Sequence, residues 1–181
     1  MKYTLLLILT LLLISCSKNE KAENIRHTVE LAIKNDAKMM NEIIREFNNN
    51  KVNGIDNSKK LLKMYHEATK THLVCKDLII KLDDIDSCIN LKKEALDYFN
   101  FTEFFLIDFI KPMATLSFKE LQGNEELQKK MTERLAESIE VSKKMSDKIL
   151  EFCKEHNLEM EISVYEGEKF SKQVEELKNN L

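Results

Sequence analysis

The chain has one proline, three glycines and no tryptophan in 181 residues. Sheet proteins need turn signals about every 8–12 positions, and so few turn formers exclude them. No apolar run approaches the ~20 residues that cross a bilayer; the longest, Leu5 to Ile14, is about half that. The formal net charge is only −3, which gives no reason to expect nucleic acid or an anionic membrane face as a partner. A Gly-rich phosphate loop, a Gly-x-Ser-x-Gly elbow and a His-Glu-x-x-His zinc motif are all missing. Asp83-Asp84-Ile85-Asp86 is acidic but lacks the Gly and the closing Glu of a calcium loop. Paired carboxylates are abundant, yet each falls on a solvated face. The expectation is a protein that is not an enzyme and has no cofactor.

What the chain does have is charge and helical periodicity. A third of the residues are charged, and Lys, Glu, Leu, Ile and Asn dominate, as in long amphipathic helices. Ile33, Ala37, Met40, Ile44 and Phe47 step by 4, 3, 4, 3, which predicts a first helix over about 22–49. Lys51 to Asn57, with Gly54, is the following loop, and Asp56, Asn57 or Ser58 can cap the next helix. Leu61, Tyr65, Ala68, His72, Cys75, Ile79 and Leu82 mark a second helix over about 58–83. Asp83 to Ser87 then predicts a tight turn; the alternative, one helix through 115, would be roughly 87 Å long. The third helix, about 87–115, carries two neighbouring apolar stripes, and Pro112 is expected to kink or end it. Thr115 to Asn124 is read as a connection. Asn124, with Glu125 and Glu126 after it, caps a fourth helix over about 125–156. A short tail helix, about 167–178, shows Phe170, Val174 and Leu177 on one face. Short loops make neighbours antiparallel. The expected fold is all-α: an up-down-up-down four-helix bundle with a C-terminal tail helix.

The start of the chain speaks to location. Lys2, the apolar run and Ser15-Cys16 form a charged n-region, a short h-region and a small residue before a cysteine. Leu13-Ile14-Ser15-Cys16 resembles the lipobox of bacterial lipoproteins. The resemblance implies cleavage before Cys16, a diacylglycerol on its sulfur and an acyl chain on its amine. Two chains already anchor stably. Residues 1–15 are then a signal peptide, 16–23 the lipidated cysteine and a polar tether, 24–158 the bundle and 159–181 the tail. Removing Lys2 with the signal makes the remaining chain one charge more negative.

Three side-chain groups stand out. Cys88 opens the third helix and Cys153 closes the fourth, at the same end of the bundle. An exported protein meets oxidising conditions, so the pair forms either a disulfide or, with Cys75, three unpaired thiols. His72 with Cys75, and Cys153 with His156, are each three residues apart on a helical face. Together they would supply four zinc ligands, but a bundle holds the two pairs roughly 12 Å apart along its axis. The alternative places His72 in the core beside a neighbour such as Tyr65, with Cys75 as a small hydrophobe. Phe104 and Ile107 point about 80° or more away from both apolar stripes of the third helix. Either the tail helix covers them or they form a partner-binding patch.

The run Cys88-Ile89-Asn90-Leu91-Lys92-Lys93-Glu94-Ala95-Leu96-Asp97-Tyr98-Phe99, followed much later by Phe152-Cys153-Lys154-Glu155-His156-Asn157-Leu158, is similar to uncharacterised helical surface lipoproteins of Bacteroidota and spirochaetes. That resemblance spans residues 22–158 at the level of pattern. It implies a bundle on the cell envelope, at the outer membrane on its periplasmic or surface face, and supplies no catalytic residues. The expected function is a lipid-anchored module that binds a protein partner. Alternatives are an immunity or inhibitor lipoprotein against an envelope toxin, or a metal-binding bundle. With the first helix starting at the membrane, the loops at 50–57 and 115–124 lie at the distal end, the first place to look for a partner.

Overall fold

The computed structural model describes residues 2–51, 53–55, 57–159, 172, 174–176 and 178, with side chains from residue 19 onward except 50 and 51. The chain is an all-α helical bundle, with no strand among the described residues. Helix α1 spans Lys2–Glu46 and unwinds into a π-helical turn at Phe47–Lys51. Helices α2, Ser58–Ile80, and α3, Leu91–Phe105, follow. A second π-turn, Leu106–Ile110, joins α3 to the short α4, Lys111–Thr115. Then come α5, Phe118–Gln122, and α6, Glu125–His156. Cross-links fix the antiparallel order. Glu46 near the end of α1 receives Asn57 and Lys60 from the start of α2. Lys92 early in α3 donates to the Leu82 carbonyl after α2. On α6, Lys144 pairs with Glu94 and Lys130 with Asp108, so α3 and α6 run in opposite directions.

Four features differ from the sequence reading. The polar tether expected at 16–23 is part of α1, and Ala22 is already fully buried. The break after α2 is present but wider, from residue 81 to 90. Pro112 does not end its helix. The π-turn before it lengthens the hydrogen-bond step, with the Lys111 N–H reaching the Leu106 carbonyl. The widened backbone takes up the clash and the lost donor that a proline brings to an α-helix. The connection at 115–124 is itself helical in part. Ser117 accepts from the Glu120 N–H while the Glu120 carboxylate accepts from the Ser117 N–H, a complete capping box. The Asn124 cap acts as read, accepting from the Leu127 N–H, whereas Asn57 at the start of α2 makes no side-chain cap; Asn157 ends α6 in the left-handed region at φ 52°.

The core falls into two apolar clusters stacked along the bundle. The cluster at the α1 entry contains Val29, Val74, Phe99 and Phe152. The one at the opposite end contains Ile43, Leu61, Phe105 and Ile110. The α1 stripe actually buried runs through Val29, Ala32, Asp36, Ile43 and Phe47. Met40 and Phe47 of the expected stripe are buried, but Ile33, Ala37 and Ile44 are only half-buried, with Ala32, Asp36 and Ile43 taking the core positions.

Candidate functional site

Between the two clusters lies a polar layer. Asp36 of α1, Thr71 and His72 of α2 and Thr102 of α3 are each at most 5% exposed. Each occupies a heptad-like position between apolar residues of its own helix, so the layer is built into the sequence at the same height on three helices. Nδ1 of His72 lies 3.3 Å from Oδ2 of Asp36, and the imidazole packs at 5.4 Å on the Phe99 ring. Burial pushes the Asp36 carboxyl above the usual carboxylate range, against the opposing pull of His72 and, more weakly, Thr102. The second Asp36 oxygen, Nε2 of His72 and Oγ1 of Thr71 have no protein partner. Burial and the Asp36 charge both raise the phenol of Tyr98. The Cys75 thiol is raised by the same two causes and is inert at neutral pH.

On the α6 side this layer opens into space. Leu127, Met131 and Leu135 continue the apolar stripe of α6, but Ser138 and Ser142 occupy its middle. The first twenty residues of α6 therefore bury no side chain completely; Met145 is the first that does. Two cavities result. One of about 180 Å³ lies among α1, α3 and α6, floored by Phe101 and Phe105 and edged by Asn41, Thr102, Ser138 and Ser142. The other, an open groove of about 330 Å³ at the far end of the bundle, is walled by Phe47, Phe109, Phe118, Leu121 and Met131. Leu135 lines both. Gln128 ties α5 to α6 by donating to the Leu121 and Gln122 carbonyls, and Phe118 meets Phe47 at 6.3 Å. The groove thus occupies the distal end, where α5 replaces the expected loop.

The residues singled out in the sequence are scattered. Cys16 lies within α1, and its side chain is outside the described set. The Cys88–Cys153 disulfide is not formed; both thiols, and Cys75, are free. The reason is facing. Cys88 is exposed, while Cys153 is buried, facing the charges of Glu30 and Arg26. What joins the 87–89 turn to α6 is Glu155, whose carboxylate accepts from the Cys88 N–H at 2.8 Å, the Ile89 N–H at 3.2 Å and the Ser87 hydroxyl at 2.8 Å. These bonds, the Cys88 amide first, hold Glu155 below the usual carboxylate range.

The four candidate zinc ligands are not brought together. His72 faces Asp36 rather than Tyr65, and His156 contacts Ser87 and Phe152. Among the described residues no three His, Cys, Asp or Glu side chains group to hold a metal. Phe104 and Ile107 are 56% and 48% exposed, so no described residue of the tail covers them. Of the expected tail helix, residues 172, 174–176 and 178 are helical. Val174 joins the entry cluster, and Lys178 bonds Glu67 of α2 at 3.1 Å. Phe170 and Leu177 lie outside the described residues. Arg134 stacks 5.8 Å over the Phe104 ring while bonded to Asp108.

No family model, curated protein or solved structure matches the chain.

Proposed function

We propose that the chain is a bacterial lipoprotein, anchored through Cys16 in the cell envelope at the outer membrane, that acts as a non-enzymatic binding module. The observation that carries this reading is the Leu13-Ile14-Ser15-Cys16 sequence placed directly after a ten-residue-scale apolar run and before polar Ser17-Lys18-Asn19. No described helix is long and apolar enough to cross a membrane. A membrane-bound life therefore rests on the lipid rather than on a described helix.

The binding role is supported by the uncharged slot under α6 and by Phe104 and Ile107 on the surface of the bundle. The non-enzymatic reading is supported by the seclusion of the Asp36–His72 pair. Both are about 1% exposed, and neither lines the cavities under α6.

Fractionation of cells expressing wild-type protein or Cys16→Ser tests the anchor. The wild type should partition with the envelope, resist high salt and carbonate, and enter the detergent phase. Cys16→Ser should lose detergent partitioning. Equal partitioning of the two would refute the proposal. Protease shaving of intact cells then separates the surface face from the periplasmic one.

A further inference from the structure

We propose that the slot beneath the first half of α6 binds one neutral single-chain amphiphile, such as a monoacylglycerol. Its alkyl chain would lie in the distal groove, and its hydroxyl- or ester-bearing head would sit against Asn41, Thr102, Ser138 and Ser142.

Charge is the first argument. A third of the chain is charged, and α6 above the slot carries exposed Lys129, Glu133, Glu137, Glu140 and Lys144. Yet none of the described residues lining either cavity is Asp, Glu, Lys, Arg or His. Such walls cannot compensate a charged group carried inside. Shape is the second. The lined stretch of α6 runs from Gln128 to Ser142, roughly 21 Å at 1.5 Å per residue. That is a long, narrow path, suited to one extended chain rather than to a compact ring system. The volumes, about 330 and 180 Å³, together fall within the ~300–1,000 Å³ typical of small-molecule sites.

Polarity along the path is the third. The distal groove is walled mainly by phenylalanine, leucine and methionine, with Gln122, Gln128 and Thr132 beside them, whereas four hydroxyls and the Asn41 amide gather at the other cavity, next to the buried polar layer. Behind Thr102 lies the buried Asp36 carboxyl. An anionic head would therefore meet a buried carboxyl and no cation, which disfavours a free fatty acid. Leu135 lines both spaces and is 43% exposed, so its side chain is the partition that the ligand moves aside. This inference rests on the binding-module reading but not on the lipid anchor.

The test is photolabelling of the full-length protein in unfractionated lysate of cells that express it. The probes are diazirine-bearing monoacylglycerol, fatty acid and lysophospholipid, followed by peptide mapping. Monoacylglycerol should label the 101–109 and 128–142 segments, and unlabelled 1-monooleoylglycerol should compete. Leu135→Trp and, independently, Ser138→Leu should each cut that labelling about tenfold. Both sites are at least partly solvent-exposed, and retained trypsin resistance checks that the variants fold. Equal labelling by the fatty acid or lysophospholipid would overturn the head assignment. Labelling confined to residues before 24, unaffected by competitor, would overturn the slot. Should Cys16→Ser abolish anchoring but leave this labelling intact, the slot and the anchor stand separately.

Discussion

Asp36 and His72 hold a hydrogen bond in a place where apolar residues would pack without cost. A buried pair broken from one side leaves a polar group stranded, so His72→Ala should destabilise the bundle by about 3 kcal/mol. Asp36→Asn keeps a hydrogen-bonding partner for His72 and removes the titration. The sign follows from burial. Asp36 has its carboxyl raised in the folded chain, so its contribution to stability is fully present below the ordinary carboxylate range and is lost as pH rises toward the folded value. Denaturant melts between pH 4 and pH 8 should show the wild type losing ground to Asp36→Asn as pH increases. Parallel curves for the two proteins would contradict the raised carboxyl.

This layer was half legible. His72 falls on the α2 stripe and is buried there as its spacing predicts. Asp36 was missed because periodicity searches count apolar residues. The signal was present: Asp36 is seven residues from both Val29 and Ile43, each fully buried.

At the scale of elements, the joint between the 87–89 turn and the end of α6 depends on Glu155. It resembles a helix cap in that one side-chain acceptor satisfies otherwise unpaired N–H groups. Glu155→Ala should cost about 1 kcal/mol, at the middle of the range for lost caps. Because the Glu155 carboxyl is lowered in the folded chain, its contribution is present above the ordinary glutamate range and fades as pH falls through the folded value. The Glu155→Ala penalty measured at pH 7 should shrink toward pH 3. A penalty independent of pH would assign the effect to packing. Sequence placed Cys88 and Cys153 near each other correctly in helix order but could not see which way they face, since one residue of rotation moves a side chain by 100°. The helix start read from Asn124 was local chemistry and survived. The π-turn before Pro112, and α5, depend on how neighbouring helices receive them, and periodicity alone does not report that.

For the whole molecule, the continuity of α1 through the expected tether changes how a lipid anchor would work. Ala22, the first fully buried core residue described, is only six positions after Cys16. That is roughly 9 Å as helix and at most about 20 Å fully extended. An anchored bundle would therefore stand close against the membrane, with the slot under α6 at its outer end. Phe104 and Ile107 were correctly separated from the core stripes by their angular position. The tail's docking onto α2 through Lys178 and Glu67 was not legible, because a single cross-helix ion pair leaves no periodic trace.

The anchor itself is tested most directly by the mass of the N-terminal peptide of the protein isolated from membranes. Trypsin should release a fragment that begins at Cys16 and ends at Lys18, heavier than its residues by a diacylglyceryl group and an N-linked acyl chain. An unmodified fragment that still carries residues upstream of Cys16 would contradict the account.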